Sequence, residues 1–321
     1  VSNLLVGLLS ALISTNPPAA VSNLVEKKTG VAVEFVNPND PVEKEYLQVL
    51  ADDNDAQAEV DKWIRDSQAF GEKGAADPRS TLNSRITERF APIKKAYETF
   101  LQKHPGHVRA RLAYGSFLND MRNEDGAVAQ WEKARELDPK NPAAWNNLAN
   151  FYGHSSPVKK AFEYYAKAIE LNPKEPVYYQ NFATTVYLFR KDAMEFYHIS
   201  EAEVFDKALG LYRQALKLDP NNFVLATDYA QSFYTTKPPR FAEGLAAWEA
   251  ALKIARDEVE REGVYIHLAR IKWKLGRLEE ARQHLAAVTN AMYAVNVKTL
   301  TRNLNASLEK AKTNTPPAAP K

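Results

Sequence analysis

Residues Val108–Pro176 read VRARLAYGSFLNDMRNEDGAVAQWEKARELDPKNPAAWNNLANFYGHSSPVKKAFEYYAKAIELNPKEP. Arg111, Tyr114, Gly115, Leu118, Ala127, Trp131, Ala134 and Pro139 mark one set of positions. A shift of about 34 residues brings Trp145, Leu148, Ala149, Tyr152, Ala161, Tyr165, Ala168 and Pro173 onto the same set. A fixed period of this length is the signature of an array of small repeated units. Within each unit the apolar residues recur at three- and four-residue steps, so each unit is two short helices. Pro142 suits a first helical turn, where its missing N–H costs nothing, and Pro173 stops the run before it. Gly115, Ala127, Ala149 and Ala161 let two helix backbones approach closely. Trp131, Trp145, Tyr152 and Tyr165 fill the space that remains. One hairpin cannot cover its own apolar face, so neighbours must stack on it.

The order Trp145-x2-Leu148-Ala149-x2-Tyr152, then Ala161-x3-Tyr165, then Pro173 resembles the tetratricopeptide repeat family, whose units read W-x2-L-G-x2-Y, A-x3-F, P. The resemblance covers about residues 108–288. It implies an all-α fold, a right-handed α-solenoid of helical hairpins, with a mostly helical N-terminal extension. Four further readings extend the array. Residues 77–107 form a degenerate opening unit, with Ala96, Tyr97, Phe100 and Leu101 in register with later second helices. The third unit holds Tyr179, Phe182, Ala183 and Val186, then Ala208, Tyr212 and Ala215. An insert at about 188–203 separates its halves; the first helix is expected to run on to a turn near His198, with a capping box at Ser200 and Glu203 opening the next. The fourth and fifth units follow, with Arg256 where a terminating proline is expected and Lys272 where an aromatic is expected, so that the array spans 108–290. A terminal capping helix takes 291–312 and a disordered tail 313–321.

Ahead of the array lie two further segments. The apolar run Leu4–Ile13, within residues 1–20, has the length of a signal-peptide core or of an apolar helix, and it is too short to span a bilayer. Export to a periplasmic-type compartment is the expectation it raises, with a cytoplasmic location as the alternative and an envelope assembly role as a second functional reading. Residues 21–76 form the extension: a short extended segment, Val31–Val36, then helices at about 41–51 and 56–70 parted by the acidic break Asp52–Asp55. The break lacks the glycine and the bidentate Glu of a calcium loop.

Composition narrows the chemistry. Lys plus Arg total 42 and Asp plus Glu 40, a formal charge of +2. That balance argues against a dedicated nucleic-acid binder. No cysteine is present, which removes disulfides, thiolate metal sites and a thiol nucleophile. Only 12 glycines occur, and no phosphate-binding loop, hydrolase elbow or zinc-protease motif appears. His104 and His107 sit on a turn, and two ligands do not make a metal site. The expectation is a non-enzymatic chain with no cofactor, no metal and no integral membrane span, whose partner is a protein or an extended peptide.

In the family that this chain resembles, exposed residues of the first helices form the binding groove on a concave side. Projecting the period onto those helices gives three rows. One holds Ala113, Asn147, Asn181, Asp228 and His267. The next holds Ser116, Asn150, Thr184, Gln231 and Arg270. The third holds Asn119, Gly153, Tyr187, Tyr234 and Trp273. An amide offers both a donor and an acceptor, and amides spaced one per repeat can pair with the main chain of an extended peptide. The same amides can instead bond neighbouring backbone and fix the stacking. Tyr187, Tyr234 and Trp273 are either aromatic anchors or edge packing. The basic residues of the family's clamp for peptide C-termini are replaced here by Asn, Thr and Gln.

Overall fold

The computed structural model describes residues 40–72, 79–154 and 157–313. The apolar run at 4–13, the Val31–Val36 segment and the C-terminal tail from 314 lie outside the described residues. Among those described there are fourteen α-helices, two single 3-10 turns and no strand. No described helix is long and apolar enough to cross a membrane. The chain divides into two compact units, 1–178 and 179–321.

The first unit is three helical hairpins: α1 (Pro41–Glu72) with α2 (Arg79–Lys103), α3 (Val108–Asp120) with α4 (Glu124–Leu137), and α5 (Pro142–His154) with α6 (Val158–Leu171). One apolar core runs from Tyr46 and Val60 through Phe90, Tyr97 and Phe100 to Phe117, Trp131 and Leu148. Helix starts follow local chemistry. Asn123 Oδ1 accepts from the Gly126 N–H at 3.1 Å, and His107 Nδ1 accepts from that of Ala110 at 3.0 Å. Both satisfy donors that a first turn leaves unpaired.

One sequence expectation changes here. The acidic stretch Asp52–Asp55 is no break: α1 is one helix of 32 residues. Packing overrides the low helix propensity of Asp and Asn, because Val49, Ala56 and Val60 are buried and Gln48 and Gln57 donate to Asp52 and Asp53 across one turn. Pro92 likewise lies inside α2 without ending it, flanked by buried Phe90 and Ile93. The helix of the extension pairs with α2. Contacts pair Glu45 with Lys103, Asp53 with Tyr97 and Glu59 with Arg89; as one number rises the other falls, so α1 and α2 are antiparallel. Asp40 Oδ1 accepts from the Val42 N–H, and Glu43 binds Arg109 and His107, tying α1 to the start of α3.

The second unit begins within α7 (Pro176–Leu188). It continues through α8 (Arg190–Tyr197), α9 (Glu201–Leu218), α10 (Phe223–Ser232) with a 3-10 turn at Phe233–Thr235, and α11 (Phe241–Lys253). Next come α12 (Glu258–Lys274), α13 (Leu278–Ala286), a 3-10 turn at Ala291–Tyr293 and α14 (Ala294–Thr313). The insert matches its expected turn: His198 is left-handed at φ 55° and Ser200 makes a complete capping box with Glu203. The first helix, however, stops at Leu188, and α8 is a separate element. Two substitutions in the repeat pattern are compensated locally. Asp257 caps α12 from the Glu260 N–H, and Glu260 accepts from the Arg256 backbone at 2.8 Å, which replaces a terminating proline. Lys272, buried in an aromatic position, reaches Glu280 at 3.0 Å. Leu300 and Leu304 of α14 close the apolar face against Ile266, Ala269 and Leu285.

Gly115 faces Trp131 so closely that an added Cβ would lie inside the indole's van der Waals envelope, whereas nothing stands within 4 Å of a Cβ at Gly106. Gly115→Ala should lower unfolding free energy by about 1–3 kcal/mol, and Gly106→Ala should change it by less than about 1 kcal/mol. Urea denaturation followed by circular dichroism measures both.

Candidate partner-binding face

The residues projected onto the first-helix face divide into those the fold uses and those it leaves over. Second-helix aromatics use much of the middle row. Tyr165 donates to Asn150 Oδ1 at 2.7 Å. Tyr212 shares a 2.8 Å hydrogen bond with the Thr184 hydroxyl, which also donates to the Gln180 carbonyl. Tyr97, at the same repeat position two hairpins before Tyr165, donates to Asp53 Oδ2 at 2.6 Å. Where the second helix carries Trp131, the indole N–H turns to the Leu112 carbonyl at 3.3 Å, and Ser116 bonds its own helix. A buried hydroxyl needs a partner, and the row supplies it.

The outer rows show the same split. Asn147 is half-buried, and its Oδ1 accepts from Asn146 at 3.4 Å. Asn181 is half-buried, and its carbonyl accepts from Thr185. Asp228 accepts from Gln180 Nε2 at 2.8 Å, joining α10 to α7, and burial raises its carboxyl above the ordinary range against that bond. Tyr187 Oη lies 2.6 Å from Thr235 Oγ, with the Arg190 guanidinium over the ring. Tyr234 Oη lies 3.0 Å from His267 Nδ1. The His267 ring stacks on Trp248 with centroids 4.1 Å apart. Trp273 donates to Ser307 at 2.9 Å and packs with the α14 cluster, so it serves the cap of the second unit. Gln231 is exposed. Arg270 lies over the Tyr234 ring at 5.6 Å.

In the second unit the structure thus brings Thr184, Tyr187, Asp228, Tyr234 and Arg270 into one connected face on α7, α10 and α12. It also adds Gln180, Arg190 and Thr235, which the row projection omits. Gln180 is one residue off the projected row, Arg190 belongs to the insert, and Thr235 sits in a 3-10 turn. None has a periodic signal. Among the described residues no group of three or more His, Asp or Glu side chains could hold a metal ion.

Stacked antiparallel helical hairpins with aromatic and small residues alternating at their interfaces define a helical repeat protein. Family models described as tetratricopeptide repeat match residues 118–176 and 263–291, so these parts of the chain carry tetratricopeptide repeats. No curated protein matches the chain. Similar solved structures include PilW, described as a widely conserved type IV pilus biogenesis factor, at 14% identity and TM-score 0.54, covering 70% of this chain and 100% of that one. PilF of Pseudomonas aeruginosa is similar at 13% identity and TM-score 0.51, covering 77% and 99%. The C-terminal part of a repeat-containing protein from Cytophaga hutchinsonii reaches 12% identity and TM-score 0.50, covering 79% and 98%. At these identities the likeness is one of fold.

Two titratable groups on first helices, one in each unit, set opposite pH responses. Burial pushes the Asp53 carboxyl up to about 6, against the hydrogen bonds from Tyr97 and Gln57. Its stabilising contribution is full below the unfolded value of about 4 and is lost as pH rises through about 6. Burial, aided by Arg270, holds His267 down at about 4. Its contribution is full above the unfolded value of about 6.5 and is lost as pH falls through about 4. Asp53→Asn keeps an acceptor for Tyr97 and should raise stability at pH 7.5 by on the order of 1 kcal/mol, with little gain at pH 4. Thermal denaturation at the two pH values tests this, and equal shifts at both would contradict it. Separately, Tyr165→Phe should cost about 1 kcal/mol by stranding the inward oxygen of Asn150, read from urea midpoints.

Proposed function

We propose that this chain is a non-enzymatic scaffold that holds an extended segment of a partner protein along the first-helix face. Tetratricopeptide repeat proteins generally serve as protein-interaction scaffolds, and this reading extends that general role to a particular face. One observation carries it. After the internal bonds of the face are assigned, polar and aromatic groups remain on it in the second unit: the exposed amide of Gln231 and the partly exposed rings of Tyr187 and Tyr234. Amides beside aromatic faces suit a peptide, whose main chain needs paired donors and acceptors and whose side chains need apolar surface.

A photo-crosslinking amino acid placed at Gln231 should capture a partner, with the linked partner peptide identified by mass spectrometry. The same group at the exposed Glu249 of α11 should not. Tyr187→Ala should weaken capture at Gln231 while leaving the circular dichroism spectrum unchanged. Equal capture from both sites, or capture indifferent to the substitution, would remove the face from consideration.

A further inference from the structure

The half-buried arginines of the described structure are, with one exception, supplied with hydrogen-bond acceptors. Arg89, Arg109, Arg135, Arg240 and Arg261 bond carboxylates, Arg111 bonds the Pro105 carbonyl and Gln130, and Arg190 bonds the Tyr187 carbonyl. Arg270 is the exception. It stands on the first-helix face of α12 with its guanidinium over the Tyr234 ring and no acceptor among the described residues. Its neighbours do not neutralise it. His267 is an uncharged ring clamped between Trp248 and the Tyr234 hydroxyl, and Lys272 on the same helix is spoken for by Glu280. A guanidinium presents five donors in a planar fork, and a partly desolvated one is costly to leave unmatched.

We infer that Arg270 is the seat for one acidic side chain, Asp or Glu, within an otherwise neutral extended segment of the partner. This rests on the reading of the face given above and names the partner's chemistry. Charge complementarity chooses the occupant: a carboxylate fills the fork with two parallel hydrogen bonds. One feature favours a side chain over a chain end. The Thr184 hydroxyl in the same unit is already bonded to Tyr212 and to the Gln180 carbonyl, so it does not supply a further donor of the converging set that a terminal carboxylate needs. The Tyr234 ring beneath the guanidinium offers apolar surface beside the seat. The partner segment therefore carries one acid beside an aromatic or aliphatic residue.

The test is selection of random dodecapeptides, displayed between constant flanks, on the full chain and on Arg270→Gln. The chain is expected to enrich Asp or Glu at one position and the variant is expected not to. A selected peptide, synthesised, should bind the variant about tenfold or more weakly. Changing its acid to the amide should cost the chain a similar factor, and the two changes together should cost no more than either. Amidating the peptide's C-terminus should leave binding unchanged. Peptides that crosslink to position 231 without any acid preference, that bind the variant equally, or that need a free C-terminus would overturn this assignment alone. Peptides that fail to crosslink there, or no selected peptides at all, would overturn it together with the assignment of the face.

Discussion

A hydrogen bond between the two helices of a hairpin recurs through the chain and sets what its surface can do. A second-helix tyrosine buries its ring in the stack and still has to satisfy a hydroxyl. Tyr97, Tyr165 and Tyr212 all solve this by reaching a polar side chain on a first helix: Asp53, Asn150 and Thr184. Where the aromatic is Trp131, the donor goes to backbone instead and no side-chain acceptor is needed. The identity of the first-helix residue therefore follows from the second-helix residue it faces. Polar residues on the face thus form two populations, one fixed by the hairpin and one available to something else.

That division explains what could be read in advance. The 34-residue spacing places the hairpins, and the alternation of small and large residues places their contacts, because both follow from close packing of adjacent helices. The capping box at Ser200 and the turn at His198 are equally local and equally legible. The long α1 was not, because its continuity depends on Ala56 and Val60 packing against α2 some forty residues away, and the local acidic run points the other way. The face was legible as a set of positions. Which amides on it are spent was not, since Tyr165 and Asn150 are on different helices and periodicity records only that each is present. Trp273 shows the limit clearly: its spacing groups it with Tyr187 and Tyr234, while its N–H is turned to Ser307 of the capping helix.

The departures from the repeat pattern concentrate in the second unit, and they are coupled to one another through charge. The insert helix α8 begins with Arg190, which lies over both Tyr187 and Phe205 and near Glu201 of α9. The loop before α11 brings Lys237 to the same Glu201 and Arg240 to Asp206. Exposed pairs of this kind add little stability individually. Their common effect is positional: they fix the insert and the loop beside Tyr187 and Thr235, at the edge of the first-helix face.

Specificity in such a face comes from what the fold leaves unmatched. A ladder whose amides were all free would accept main chain of any sequence, because every peptide offers the same N–H and C=O groups. Here part of the ladder is consumed by Tyr165 and Tyr212, so main-chain pairing alone has fewer partners to draw on. The remaining groups are unlike one another: an exposed amide at Gln231, two tyrosine faces and a guanidinium at Arg270 that has no acceptor among the described residues. Discrimination between partners is a difference in free energy between matched and mismatched groups. A partly desolvated charge contributes more to that difference than an exposed amide, which water satisfies when no ligand does. On the proposed reading, the sequence preference of the second unit is accordingly set by its least satisfied residue rather than by its most repetitive ones.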